Sequence, residues 1–139
     1  MNMYDLRDEF DDLLLRYRES GTPLISRTSV RAVIWDKTGG LCWYCGNETH
    51  PFRDFSIDHI RPLSKEGDDD FDNLVPCCRS CNFSKSNRGL DYLRSKLAQS
   101  KLEIPSFTPE QCEFLKSHGI DIEVSLIEDF KFFFEETEL

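Results

Sequence analysis

Two cysteine pairs with the same short spacing constrain this chain more than any other feature of its sequence. Cys42 and Cys45 form the first pair, and Cys78 and Cys81 form the second. Two intervening residues let both sulfurs of a tight turn face one ion, and two such pairs complete a tetrahedral site. A shell of four thiolates is closed to substrate. We therefore predict one structural zinc ion, which joins two distant segments of the chain.

The neighbouring residues offer alternative ligands at two positions. Cys77 precedes Cys78, but its spacing to Cys81 is one residue longer, so Cys78 is preferred. His50 follows the first pair and is the alternative to one of its thiolates. The sixth cysteine, Cys112, lies on a predicted helix and is expected to be a buried apolar residue.

Length and composition restrict the class of protein. A chain of 139 residues fits one domain of ordinary size, so we predict that residues 1–139 form a single domain. No apolar run is long enough to cross a bilayer, and the N-terminus lacks the basic start and apolar stretch of a signal peptide. Together with cysteines in metal-binding spacing, this favours a cytoplasmic protein without a membrane partner.

The net charge of −9 is unevenly distributed along the chain. Residues 27–101 hold twelve basic and ten acidic side chains, a net of +2, whereas residues 102–139 hold two basic and ten acidic ones, a net of −8. Proteins that bind phosphate backbones usually carry basic surface. Charge alone therefore gives no argument for a nucleic-acid partner, and such an argument has to come from the motifs.

The periodicity of the apolar residues predicts an α+β fold with a core over about residues 29–100. Four helices are predicted: at about 3–19, at about 29–37, over a stretch that begins near Cys78, and at 90–97. Short strands are predicted at 55–60 and 74–76.

The acidic end, about residues 102–139, is predicted to be a helical extension. Thr108-Pro109-Glu110-Gln111 is a capping box with proline at the first helical position, and Ser125-Leu126-Ile127-Glu128 is a second capping box. Residues 120–124 alternate as a strand does. The second predicted helix has one apolar face, formed by Leu126, Ile127, Phe130, Phe133 and Phe134. We expect this face to be buried on the chain itself, or else in a homodimer or against a protein partner.

Polar residues between and beside the cysteine pairs have the composition of a hydrolytic metal site. Asp58 offers a hard oxygen ligand for Mg²⁺ or Mn²⁺, and His59 is a general base suited to neutral pH. Asn82 directly follows Cys81, and its amide oxygen is a neutral ligand. Asn73 precedes the second predicted strand, where asparagine ties loops through backbone hydrogen bonds. Each residue alone is typical of ordinary surface positions. All of them, however, lie between or beside the two cysteine pairs, which favours a joint role in one metal site.

The order and spacing of these signals resemble the HNH endonuclease family over about residues 29–89. The resemblance runs through Cys42-Trp43-Tyr44-Cys45-Gly46, Ile57-Asp58-His59-Ile60-Arg61-Pro62-Leu63-Ser64, Gly67, Asn73-Leu74-Val75-Pro76, Cys78-Arg79-Ser80-Cys81-Asn82 and Lys85. It implies a ββα-metal fold, in which two short strands and a helix surround one catalytic divalent ion. The last motif position, often histidine, is Asn82 here, which leaves the preferred ion open among Mg²⁺, Mn²⁺ and Ni²⁺.

The same resemblance implies a reaction and a role for each residue. The reaction is hydrolysis of DNA phosphodiester bonds, by nicking or by double-strand cleavage, to a 5′-phosphate and a 3′-hydroxyl. Asp58 and Asn82 would bind the ion, His59 would act as the base, and Asn73 would orient the loop that carries His59. The candidates for holding flanking phosphates of the DNA are Arg61, Arg79, Lys85 and Arg88.

Two other functions fit the same motifs. The first is a non-catalytic zinc module that binds nucleic acid or protein, against which the simultaneous presence of Asp58, His59 and Asn82 argues. The second is a ribonuclease or toxin, because the 2′-hydroxyl of RNA can act as an internal nucleophile and make a metal dispensable. Metal-dependent cleavage of DNA would distinguish a DNA endonuclease from both of these alternatives.

Overall fold

The computed structural model describes residues 2–21, 23–50, 54–86, 88–101, 107–120 and 130–137, and these mix helices with one small sheet, as the α+β prediction requires. The elements are α1 (Met3–Tyr17), α2 (Thr28–Asp36), β1 (Phe55–His59), β2 (Leu74–Cys78), α3 (Arg79–Lys85), α4 (Leu90–Lys101), α5 (Pro109–Ser117) and α6 (Phe133–Glu136). Single turns of 3-10 helix lie at Leu24–Ser26 and Leu63–Lys65. None of the described helices combines the length and apolar character that crossing a membrane requires.

The two strands and the helix that follows them form the centre of the structure. β1 and β2 pair antiparallel, with Phe55 opposite Cys78 and His59 opposite Leu74. α3 begins directly after β2, and Cys78 is its N-cap residue, whose sulfur accepts a hydrogen bond from the backbone N–H of Cys81. This confirms the predicted order of two strands and a helix. The end of β1, with Asp58 and His59, lies close to Lys85 in the last turn of α3.

One buried cluster holds the N-terminal helices against the sheet. The face of α1 that Leu6, Phe10 and Leu13 form packs with apolar residues of α2 and both strands. Lys37, the C-cap residue of α2, is also buried, and its Nζ donates to the carbonyl oxygens of Phe71 (2.7 Å) and Leu74 (2.8 Å). Since desolvation lowers the pKa of Lys37 to about 8, these two carbonyls are important partners for its charged form.

A second buried cluster joins the turn from Cys42 to Cys45, called here the first knuckle, to residues 130–137, called here the aromatic segment. Phe132 is fully buried, and its ring lies 5.3 Å from that of Tyr44. The backbone N–H groups of Phe133 and Phe134 donate to the carbonyls of Tyr44 (2.8 Å) and Trp43 (3.1 Å). The aromatic segment therefore lies against this part of the chain. Phe132 is buried there, although it was not part of the predicted apolar face, and Phe130, Phe133 and Phe134 of that face are half-buried.

The aromatic segment corrects the prediction of one continuous C-terminal helix. Residues 130–132 are not helical, and α6 begins only at Phe133 because Phe132 has an extended backbone (φ −67°, ψ 160°). Glu135 accepts a hydrogen bond from the backbone N–H of Phe132 (2.8 Å), which closes the helix start at this point. The predicted strand after Ile120 and the second capping box, with Leu126 and Ile127, lie outside the described residues. The first capping box is confirmed at α5.

Candidate active site

The four paired cysteines meet in one cluster. The sulfur atoms of Cys42, Cys45, Cys78 and Cys81 all lie within 4.8 Å of one another, and those of Cys45 and Cys78 are 3.8 Å apart. A tetrahedral zinc ion with Zn–S bonds of about 2.3 Å holds its sulfurs at about this separation. The residues therefore fit a four-thiolate zinc site. Among the described residues, no other cluster of this type is found.

The local environment also decides between the alternative ligands. Hydrogen bonds from Cys45, Cys78 and Cys81 lower the pKa of Cys42, which belongs to the cluster. Burial raises the pKa of Cys77, which lies within β2 and outside the cluster, and this thiol stays neutral. His50 is not a member of the cluster either. Cys112 is buried on α5, as predicted.

Asp58 is a buried carboxylate held by two donors. Its Oδ2 accepts a hydrogen bond from the hydroxyl of Tyr44 (2.6 Å), and Lys85 Nζ lies 3.0 Å from Oδ2 and donates to Oδ1 at 3.3 Å. Lys85 Nζ also donates to the backbone carbonyl of His59 (2.9 Å). Burial and the nearby charge of Asp58 raise the pKa of Tyr44, so its hydroxyl keeps the proton that it donates. Because an ionised carboxylate can accept about four hydrogen bonds, Asp58 retains capacity for a metal ion.

His59 is held by the loop that joins β1 to β2. Its Nε2 pairs with Asp69 Oδ1 at 2.7 Å, and the imidazole is 12% exposed. Asn73, at the other end of the loop, accepts from the backbone N–H of Arg61 (2.8 Å). The amide nitrogen of Asn73 donates to the carbonyls of Arg61 (3.1 Å) and Asp68 (2.8 Å). Asn73 thus ties together the two sides of the loop beside His59.

Gly67 allows this loop to close on itself. A Cβ atom at Gly67 would lie 1.7 Å from the carbonyl oxygen of Arg61, which no side chain permits. The backbone N–H of Gly67 also donates to the carbonyl of Pro62 (2.9 Å). Glycine is therefore required here by close backbone contact, and it fixes the loop that carries Asp69.

Asp58, His59 and Asn82 border one pocket of about 480 Å³, which is open to solvent. Asp58 and His59 are adjacent on β1, whereas Asn82 is placed by α3, which follows its N-cap residue Cys78. One carboxylate, one amide oxygen and room for water match the preferences of a hard divalent ion. The donor set therefore fits such an ion, and the imidazole lies beside it.

The four candidate phosphate contacts separate into two groups. Arg61, Arg79 and Arg88 are exposed and lie outside the lining of this pocket. Lys85 is fully buried, and its ammonium group is engaged by Asp58 and by the His59 carbonyl. This corrects the prediction that Lys85 holds a flanking phosphate, because a buried ammonium paired with a carboxylate is not a surface contact for DNA.

Sequence reasoning missed three residues that the geometry brings to the site. Tyr44 belongs to the motif, but the sequence gives it no chemical role. Its position between Cys42 and Cys45 is the one signal that could have suggested a contact with the site. Asp69 lies within the acidic run 68–70, and nothing in the sequence distinguishes it from its neighbours. Phe83 follows Asn82, and its side chain borders the pocket while the residue is 87% exposed.

Comparison with known proteins identifies the central segment. Residues 42–88 match the family model described as HNH endonuclease. None of the curated proteins compared with the chain matches it. The solved structures that resemble it include the type II-C Cas9 enzyme from Actinomyces naeslundii, with 23% identity, a TM-score of 0.46, and coverage of 84% of this chain and 15% of that one.

Streptococcus thermophilus Cas9 also resembles the chain in two structures. The complex with the GGAA PAM has 18% identity and a TM-score of 0.43, and the match covers 97% of this chain and 14% of that one. The complex with the AGGA PAM has 18% identity and a TM-score of 0.43, with coverage of 91% and 15%. The chain thus spans about a seventh of these proteins' length.

Proposed function

Starting from the HNH domain that residues 42–88 form, we propose that this protein is a metal-dependent endonuclease that hydrolyses phosphodiester bonds of DNA. The observation that carries the proposal is the convergence of Asp58, His59 and Asn82 on one pocket. A carboxylate, an imidazole and an amide supply a metal ligand, a base and a second ligand, which is the equipment of metal-assisted hydrolysis.

Asp58 and Asn82 would hold one divalent ion, for which Mg²⁺ and Mn²⁺ are the first candidates and Ni²⁺ a further one. When bound, such an ion supplies positive charge beside the scissile phosphate and the leaving oxygen. The donors from Tyr44 and Lys85 limit the orientations that the Asp58 carboxylate can take. Asn82 is fixed through α3, whose first turn carries the zinc ligand Cys81.

His59 is the proposed general base, and its hydrogen bond decides which nitrogen acts. The carboxylate of Asp69 can only accept, so its contact with Nε2 requires the proton on Nε2. Nδ1 then keeps its lone pair and takes a proton from the attacking water. The water oxygen bonds to phosphorus as the bond from phosphorus to the 3′ oxygen breaks. The 3′ oxygen leaves with the electron pair of that bond and takes a proton from solvent water, and His59 returns its proton to solvent. The products are a 5′-phosphate and a 3′-hydroxyl.

The exposed guanidinium groups of Arg61, Arg79 and Arg88 are the proposed contacts to flanking phosphates.

We further propose that residues 1–139 act as one domain. The support for this is the backbone pairing of the aromatic segment with the first knuckle and the ion pair between Arg94 on α4 and Glu135 (2.7 Å).

The expected products give the first test of this function. Incubation of supercoiled plasmid with the protein and Mg²⁺ is expected to yield open circles that DNA ligase reseals without prior end repair. Ligase requires a 5′-phosphate beside a 3′-hydroxyl, which are the ends that the mechanism leaves. The measurement is the fraction of circles resealed, with and without kinase and phosphatase treatment.

Two results would contradict the proposal. Nicks that ligase closes only after end repair would mean that a different phosphorus–oxygen bond is broken. Cleavage of RNA but not DNA, with a 2′,3′-cyclic phosphate product and no need for metal, would favour the ribonuclease instead.

A further inference from the structure

A short hydrogen bond connects the zinc knuckle to the proposed metal-binding carboxylate. The hydroxyl of Tyr44 donates to Asp58 Oδ2 at 2.6 Å, although the two residues are fourteen positions apart. Tyr44 is fully buried, and Asp58 is 7% exposed. Water has little access to the Tyr44 hydroxyl, so no solvent molecule readily takes the place of this donor if it is lost.

The position of Tyr44 is fixed from two sides. In the sequence it lies between two members of the cysteine cluster, Cys42 and Cys45. Its backbone carbonyl accepts the N–H of Phe133, and its ring packs edge-on against Phe132, with centroids 5.3 Å apart. The hydroxyl is therefore at the end of a side chain that has little freedom to move.

Each of the two cysteine knuckles contributes one donor to the same carboxylate. Tyr44 belongs to the first knuckle, and Lys85 lies on α3, one turn after Cys81 of the second. Both donors reach Asp58 Oδ2, at 2.6 Å and 3.0 Å. The cluster that joins the knuckles therefore also sets the distance between these two donors.

We propose that Tyr44 is a positioning residue, through which the four-cysteine site fixes the orientation of the Asp58 carboxylate for its divalent ion. This inference rests on the proposed function, since it takes Asp58 as a ligand of that ion. A neutral hydroxyl suits this role because, unlike the ammonium of Lys85, it restrains the carboxylate without adding a positive charge beside the cation. Partners that orient a metal ligand in this way commonly change metal affinity by about 10- to 100-fold when they are removed.

The test is the substitution Tyr44→Phe, which removes the hydroxyl and keeps the ring that packs on Phe132. Zinc-loaded protein is titrated with Mn²⁺ in the absence of nucleic acid, and free Mn²⁺ is measured by its EPR signal. We expect the Kd for Mn²⁺ at the site to rise by about 10- to 100-fold, with an unchanged zinc content. The Mn²⁺ concentration that gives half-maximal cleavage should rise with it, and the KM for DNA should not change.

Two reference variants define the result. Asp58→Ala identifies the Mn²⁺ that binds at this site, and Tyr4→Phe makes the same chemical change at a residue that is 80% exposed. Mn²⁺ binding by Tyr44→Phe that equals the wild type, while Asp58→Ala loses the site, would overturn the role of Tyr44 and leave the proposed function standing. Loss of zinc from Tyr44→Phe would overturn it as well, because the residue would then be structural. Equal Mn²⁺ binding by Asp58→Ala and the wild type would overturn the ion site itself.

Discussion

Replacement of His59 by alanine is expected to lower the rate constant for DNA cleavage by about 10²- to 10⁴-fold, which is the usual contribution of a general base. The substitution removes the nitrogen that accepts the proton of the attacking water. It leaves intact the cysteine cluster, in which His59 has no part, and the side chain of Asp58. The measurement is single-turnover conversion of supercoiled plasmid to open circles, at a protein concentration that saturates the DNA.

His118→Ala is the matched control for this experiment. His118 lies at the C-terminal end of α5, is exposed, and contacts Phe114. Its replacement should leave the cleavage rate unchanged. Zinc content and DNA affinity of His59→Ala should equal those of the wild type. Cleavage by His59→Ala at the wild-type rate would mean that another group removes the proton, and the mechanism would be wrong.

Substitution of a zinc ligand is expected to have the largest effect on stability. In Cys45→Ser or Cys81→Ser, we expect the zinc to be lost and the cooperative unfolding of residues 42–101 to disappear. Structural zinc contributes about 10–16 kcal/mol in zinc-finger peptides, which is comparable to the whole stability of a small domain, about 5–15 kcal/mol. Elemental analysis and thermal unfolding followed by circular dichroism measure the two consequences.

Two other cysteines provide controls that also test the choice of ligands. Cys77→Ser and Cys112→Ser should each retain one zinc per chain, because both residues are buried outside the cluster. A modest loss of stability is expected from each, since a hydroxyl replaces a buried thiol. If Cys45→Ser kept one zinc and unfolded as the wild type does, the assignment of the four ligands would have to be abandoned.

Local patterns were sufficient to predict most of the helices and strands. The apolar spacing along α1 and α2, the capping box at Thr108 and the order β1, β2, α3 are properties of short windows of sequence. The paired cysteines added one long-range constraint, because their spacing predicts that residues near 42 and near 78 meet at one ion. That single constraint, together with the family resemblance, placed Asp58, His59 and Asn82 at one site.

The contacts that were not predicted are those between segments for which no motif gives a distance. Lysine is a residue type that commonly contacts phosphate, yet β1 and α3 pack so closely that the ammonium group of Lys85 is buried against Asp58. The pairing of His59 with Asp69 depends on how the loop after β1 closes around Gly67. Similarly, the phenylalanines near the C-terminus have helical spacing, but backbone hydrogen bonds to Trp43 and Tyr44 fix them in another arrangement.

The central claim is that this chain cleaves DNA with an exchangeable divalent ion that is separate from its zinc. The most direct test follows supercoiled plasmid in the presence of zinc-loaded protein dialysed free of other divalent ions, with zinc measured before and after the assay. The account predicts no cleavage by this protein, full cleavage after addition of Mg²⁺ or Mn²⁺, and constant zinc throughout. Cleavage without added ions, or no cleavage with any of Mg²⁺, Mn²⁺ and Ni²⁺, would contradict it.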